Sequence, residues 1–448
     1  MTGCALTDQV RLEARQAALA ALKLVRDGGY ANLAVNQVLR RTTLTSRDAG
    51  YVTELVFGTC RNLGTLDLII EQAGGRPLNS LQPAVIDVLR LGAQQVLRMR
   101  LPIFAAVSSM VTLATEQIGR RVTGVVNAIL RRVAERSWDE WMDQLTVGLP
   151  GHQGLPIRTC HPTWIVEAYF RVLPVAELLP ALEANNQVPT PTLVVRPSLI
   201  SREDLLYDGG EPTPYSPWGV SRPGDPGQVA AVRDGRAGVQ DEGSQLVAGL
   251  LAEVKAPDGP WLDLCAGPGG KAALLTGLAR QQNQRLLAAE LHPHRAELTA
   301  EALRGYGQVP VVVADGRTPA WGAVFARVLL DAPCSGLGAL RRRPEARWRK
   351  HKSEIAGLAN LQRKLLESAC SSLVPGGVLA YITCSPHPDE TAAVVHAVSD
   401  AAPVEILDAP SLLPQVLNAA ASTDRRFIQL WPHRHNTDAM FCALLRRL

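Results

Sequence analysis

The sequence predicts an all-helical front end followed by an open α/β sheet. Three observations carry that reading. Apolar residues recur at helical spacing as far as about residue 138. From Gly238 onward, short apolar runs alternate with helical runs. At the first of those alternations stands Trp261-Leu-Asp-Leu-Cys-Ala-Gly-Pro-Gly-Gly-Lys271, an apolar run with one acid, then a loop of small residues, then a helix start. Strand, glycine loop and helix together form the ligand crevice of open α/β sheets.

Taken in order, the helical region has candidate helices at Arg11–Val25, Ser46–Arg61, Pro83–Arg98, Ala105–Ile118 and Val122–Ala134. Gly28-Gly29, Gly74-Gly75-Arg76-Pro77 and Leu101-Pro102 break them, and Pro83 suits a first helical turn. Residues 139–235 are richer in Pro and Gly. They read as a small α/β subdomain with a strand at Thr192–Arg196 and a linker from Pro212 to Pro226. His161 reads as a local hydrogen-bonding group.

Residues 236–448 form the third segment. A helix runs to Val254, and strands are expected at Trp261–Leu264, Leu286–Ala289, Val311–Val313, Arg327–Leu330, Gly377–Thr383 and Ala439–Leu445. Helices are expected near Lys271–Arg280, Pro293–Arg304, Ser353–Leu373 and Pro388–Val398. The alternation predicts a mainly parallel sheet covered by helices on both faces.

Composition narrows the function classes. The chain has 448 residues, 46% hydrophobic and 20% charged, which suits two or three globular domains with sizeable cores. A net charge of +4 is compatible with a nucleic-acid partner. The eight cysteines include no C-x-x-C pair, so neither a metal site nor a disulfide framework is expected, and reduced cytoplasmic thiols are the simple reading. No apolar run reaches membrane-spanning length, and no membrane partner is expected.

Chemistry gathers at the expected C-terminal ends of the strands. Cys265, Ala266, Gly267, Pro268, Gly269, Gly270 and Lys271 form the loop, where glycines permit close backbone approach and helix-start amides favour polar or anionic groups. The spacing is not G-x-G-x-x-G. A carboxyl-bearing nucleoside such as S-adenosylmethionine fits as well as a dinucleotide, and a glycine turn without ligand is the bland alternative. Four acids, Asp263, Glu290, Asp315 and Asp331, fall at successive strand ends. Glu290 suits ribose hydroxyls, and Asp315 suits an adenine amino group. Two cysteines each follow a strand and precede a serine, in Asp331-Ala-Pro-Cys-Ser-Gly336 and Tyr381-Ile-Thr-Cys-Ser385. A lone strand cysteine is usually core filler. Two at this rim suggest nucleophilic chemistry.

Cys265–Lys271, Asp331–Gly336 and Thr383–Ser385 together resemble the RNA cytosine carbon-5 methyltransferases of the Sun (NSUN) family. Leu44–Gly58, Leu89–Gly92 and Gly124–Arg132 resemble the NusB-like RNA-binding domain, with Phe104 where many relatives have histidine. The resemblance spans essentially the whole chain. It implies an all-α NusB-like bundle (1–138), a small RNA-binding subdomain (139–235) and a Rossmann-like class I methyltransferase domain (236–448), acting as a monomer on rRNA. By the same resemblance Cys384 is the nucleophile and Cys334 assists product release. The loop with Glu290, Asp315 and Asp331 binds S-adenosylmethionine, and Asp331 and Lys271 also touch the target base. Glu290 stands where Asp is common, and Ser385–Glu390 departs from the family's usual sequence.

The strongest basic run, Arg341 to Lys352, follows the Cys334 motif directly. Arg341, Arg342, Arg343, Arg347 and Arg349 are expected to bind phosphates, and Trp348 to stack on an unpaired base. The expected function is methyl transfer to a cytosine of small-subunit rRNA. The alternatives are the same chemistry on tRNA or another RNA, and a non-catalytic RNA-binding assembly factor.

Overall fold

The computed structural model describes the backbone of residues 2–448 and side chains from residue 13. By compactness the chain forms two units. One comprises residues 1–166 and 342–349; the other comprises residues 167–341 and 350–448.

Seven helices make up most of the first unit: α1 (Thr2–Arg26), α2 (Ala31–Leu39), α3 (Ser46–Gly74), α4 (Pro83–Arg98), α5 (Ile103–Gln117), α6 (Thr123–Val133) and α7 (Trp138–Thr146). Their ends follow local chemistry. The Thr45 side chain accepts from the Asp48 N–H at the start of α3, and Gly75 takes a left-handed conformation after its end. Pro83 occupies the first turn of α4, and Ser137 and Glu140 form a capping box on α7. The apolar stripes meet in one core, with Leu55, Leu66 and Ile70 of α3 against Leu89 of α4 and Leu130 of α6. Gly92 lets α4 and α6 approach, since a Cβ there would lie 2.7 Å from the Leu130 methyls. The boundary expected at residue 138 falls inside this unit. Trp141 is buried in the same core and donates its indole N–H to the Val133 carbonyl.

Residues 342–349 complete the first unit. The Trp348 ring fills the space where Gly64 has no side chain, and its indole N–H reaches the Cys60 carbonyl at 2.8 Å. Glu345 accepts from the Ala31 N–H at the start of α2.

The second unit holds two sheets. The smaller, order β2-β3-β1-β4, is antiparallel and comprises β1 (Thr192–Val195), β2 (Glu211–Pro212), β3 (Gly219–Ser221) and β4 (Ala237–Val239). One face joins the body of this unit, where Val194 packs with Leu246 and Val247 and Gln245 donates to the Leu193 carbonyl; the other carries a core of its own around Leu193, Val195, Leu205 and Val220. The stretch expected as linker contributes β2 and β3, and Trp218 lies against Gly249.

The larger sheet comprises β5 (Trp261–Asp263), β6 (Leu286–Glu290), β7 (Val311–Val313), β8 (Phe325–Asp331), β9 (Leu373–Thr383), β10 (Val404–Ile406), β11 (Ile428–Gln429) and β12 (Phe441–Arg447). Its order is β10-β12-β9-β8-β5-β6-β7, with β11 paired to β12. The five strands β5 to β9 are parallel, and β12 runs antiparallel against β9 and β10. Alternate residues face opposite layers, as the pleat requires. Leu329 packs with the helices Glu242–Glu253 and Gly270–Gln281, while Val328 and Leu330 pack with Glu354–Ser372 and Ala392–Ser399. Burial on both faces explains the near-continuous apolar runs. From β5 the order runs outward to β6 and β7 on one side and to β8 and β9 on the other. That reversal opens a crevice at the C-terminal ends of β5 and β8. No helix among the described residues is long and apolar enough to cross a membrane.

Candidate active site

The glycine loop leaves β5 at this reversal and enters the helix Gly270–Gln281. Two of its glycines are required by shape. A Cβ on Gly267 would collide with the Glu290 carboxylate, and Gly269 has φ +101° with a Cβ position 2.9 Å from the Thr299 Cα. Glu290, at the end of β6, is buried and accepts from the backbone N–H groups of Gly267 and His292, each at 3.0 Å. Arg295 lies 3.7 Å from it.

Asp263 closes β5 and is only 1% exposed. Neither of its oxygens has a well-aligned donor among the described residues. Burial, with Asp331 adding its repulsion, pushes its pKa up to about 8. The Gln240 Oε1 is likewise buried without a partner, and it is the one atom within 4 Å of a Cβ built on Gly270, at 3.9 Å. Orphaned acceptors beside an open glycine backbone fit a ligand that brings donors, such as the ammonium and hydroxyls of an amino-acid nucleoside. Cys265, whose thiol burial holds strongly protonated, with Ala266 and Pro268 complete the loop.

Asp315 follows β7, and its carboxylate is gripped on both oxygens by Arg317, at 2.9 and 2.6 Å. That hydrogen bonding holds its pKa down at about 2.

The remaining predicted groups converge. Lys271 Nζ lies 2.7 Å from the Asp331 carboxylate, and Cys334 Sγ lies 3.4 Å from Cys384 Sγ. Both cysteines are partly exposed. The two thiols are unequal. Its contact with Cys334 holds the Cys384 thiol below its ordinary value, against burial and the Asp331 carboxylate, with the Lys271 ammonium helping. Cys334 is pushed up by the same contact, by burial and by the Glu390 carboxylate.

Sequence reasoning missed three residues here. Glu390 is buried and accepts from the Ser335 N–H and Oγ and from the Ser385 Oγ. The signal available was the serine after each cysteine. Among the described residues no group of three His, Cys, Asp or Glu side chains is placed to hold a metal.

The basic run departs from the phosphate-binding strip expected of it. Arg341 is 4% exposed and sits between Asp241 and Asp438 at 2.8 Å each, with further bonds to Asn436. Arg347 is fully buried in the helical unit and donates to the Cys160 carbonyl. Arg349 donates to the carbonyls of Val25, Gly28 and Gly29 after α1, which satisfies a helix end. Trp348 is spent on its notch at Gly64 and is not presented for base stacking. Arg342 is half-buried; Arg343 is exposed and lies over the Tyr30 ring, 5.0 Å from its centroid. Arg341, Arg347 and Arg349 are drawn inward by acceptors distant in sequence, which local composition does not reveal.

Comparison with known proteins agrees with this geometry. Residues 251–446 match the family model for the 16S rRNA methyltransferase RsmB/F, and residues 12–135 match the NusB family. A Mycobacterium tuberculosis protein described as a methyltransferase is 46% identical, with 97% of this chain and 96% of that protein covered. The ribosomal RNA small subunit methyltransferase B of Erwinia tasmaniensis is 34% identical over 77% of this chain and 80% of its own length. The solved structure of PH0851 shares the fold, with a TM-score of 0.81 at 22% identity over 97% of this chain and 99% of that one. With the two-cysteine rim, the glycine crevice and relatives matched over 97% and 77% of its length, the chain belongs to the 16S rRNA methyltransferase RsmB/F family.

Proposed function

We propose that the protein transfers a methyl group from S-adenosylmethionine to carbon 5 of a cytosine in small-subunit rRNA, through a covalent adduct with Cys384. The observation that carries this reading is the thiol pair. Two sulfurs 3.4 Å apart stand beyond the ends of neighbouring parallel strands, beside the Lys271–Asp331 pair. Cytosine carbon 5 is a weak nucleophile, and a thiolate added at carbon 6 makes the ring enamine-like. Cys384 suits the attack because its contact with Cys334 favours its thiolate. S-adenosylmethionine supplies the electrophilic methyl group when bound.

The other residues position, hold or release. The loop Cys265–Gly270 would carry the donor, with Asp263 opposite its ammonium, Glu290 at its ribose and Asp315 toward its base. Lys271 and Asp331 would hold the cytosine against Cys384. A base must then take the carbon-5 proton, so that the Cys384 sulfur leaves carbon 6 as the thiolate. Cys334, in contact with that sulfur, would assist its departure. A paired base in a duplex cannot reach such a rim, so the target cytosine is expected in an unstacked or looped position. The NusB-like helices would supply a further RNA-binding surface.

Incubation with donor labelled in the methyl group tests the proposal, using unmodified small-subunit rRNA and, separately, tRNA. Label recovered as 5-methylcytosine in the rRNA is the expected result. Label in tRNA alone would move the substrate class, and label on any other atom would overturn the carbon-5 chemistry.

A further inference from the structure

The ladder between β8 and β9 ends at Asp331 opposite Ile382, with one more backbone bond from Ala332. Cys334 and Cys384 both lie beyond it, on loops that strand pairing no longer fixes. Their sulfurs are nevertheless in contact.

What joins the loops lies behind the thiols. One Glu390 oxygen accepts from the Ser335 N–H at 2.7 Å and from the Gln362 amide at 3.2 Å. The other accepts from both serine hydroxyls, that of Ser385 at 2.7 Å, and those hydroxyls are 3.1 Å apart. Glu390 is itself anchored, because the Tyr381 hydroxyl donates to its carbonyl at 2.8 Å. Gln362 also holds the Pro333 carbonyl, and the Gly338 N–H holds that of Cys384. Glu390 is 0% exposed, and no Lys or Arg among the described residues forms an ion pair with it. A buried carboxylate without a cation costs more than an apolar side chain of the same size, so stability alone does not account for it.

We propose that Glu390 is a positioning residue that clamps the Cys334 and Cys384 loops together, holding both thiols where they address one base. The proposal rests on the two-cysteine reading above and deepens it. Ser335 and Ser385 are the handles by which the carboxylate grips each loop.

A dithiol-specific arsenical tests the clamp without RNA or methyl donor. Phenylarsine oxide condenses with two adjacent thiols, forming two As–S bonds and releasing one water, and binds single thiols weakly. The full-length wild type should bind it through this pair, and Cys334→Ala should abolish that binding. Glu390→Ala should weaken it by about tenfold or more, while S-adenosylhomocysteine affinity and alkylation of Cys384 by iodoacetamide persist. Glu390→Gln should stay within about threefold of wild type, because serine hydroxyls can donate to an amide oxygen or accept from its nitrogen. If Glu390→Ala fails to fold, the double variant Ser335→Ala with Ser385→Ala removes the handles and should show the same loss. Wild-type arsenical affinity in a folded Glu390→Ala protein, or in the double serine variant, would overturn the clamp. Failure of Glu390→Gln to rescue would do so too. A wild type that takes up the arsenical but methylates no cytosine would sink the functional reading and leave the clamp standing.

Discussion

The glycine loop at 265–271 and the basic run at 341–349 are the two stretches whose composition points most directly to a partner, and the structure treats them oppositely. Around the loop, buried acceptors lack a well-aligned donor among the described residues: both oxygens of Asp263 and the Oε1 of Gln240. In the basic run, Arg341, Arg347 and Arg349 already meet acidic or carbonyl acceptors of the protein. A buried polar group without a partner costs about 1–3 kcal/mol, so unmet demand is a better sign of a ligand than abundant charge. Cations advertise a nucleic acid only when nothing in the fold has claimed them.

The sharpest way to break this contrast is at the rim itself. Cys384→Ala should reduce methyl transfer by about 10⁴-fold or more, since attack requires the thiolate. Cys334→Ala should leave attack intact and accumulate a slow-migrating, RNase-sensitive protein–RNA band on a denaturing gel. A band in Cys384→Ala and not in Cys334→Ala would exchange the two roles. Next in size is Arg341→Met, which removes the guanidinium held between Asp241 and Asp438. It should destabilise the protein by about 1–3 kcal/mol in denaturant titration. A stable variant that merely bound RNA less well would restore the phosphate-strip reading.

Glu290→Ala should weaken S-adenosylhomocysteine binding by roughly 1.5–3 kcal/mol in a calorimetric titration, and unchanged affinity would move the ribose contact elsewhere. For Asp263 the folded carboxyl keeps its proton up to pH about 8, against a reference value of 3.8. Between those values the native state binds a proton the unfolded state lacks, so stability from this group is full below the lower value and is lost as pH rises through the upper. Asp263→Asn should flatten that part of the stability profile of the ligand-free protein; an unaltered slope would mean the carboxylate is already ionised. The smallest effect is expected at exposed Arg343, where alanine should shift stability within about 0.5 kcal/mol. If that side chain meets a phosphate, the salt slope of RNA binding should fall by about 0.7.

Much of the architecture was legible because its signals are local. Pro83–Arg98 and Val311–Val313 match their elements residue for residue, since an apolar stripe and a β-branched run each announce themselves within a few residues. The loop and both cysteine motifs were legible for the same reason. What escaped depended on distance along the chain. The strand Gly219–Ser221 is made by pairing with Thr192–Val195, and nothing within its three residues signals it. The acids that claim Arg341 lie about a hundred positions away on either side. Glu390 was not singled out in the sequence, because its grip on two serines required the fold.

The notch at Gly64 has a consequence for biosynthesis. The helical unit is discontinuous: Trp348 and Arg349, which fill its notch and finish the end of its first helix, are encoded far downstream of its other residues. Domains near the amino terminus usually fold first as a chain emerges from the ribosome. Here that unit cannot reach its final packing until translation has passed residue 349, and closing so long a loop adds an entropic cost to the step. During that interval the helical unit lacks the indole that fills the space at Gly64.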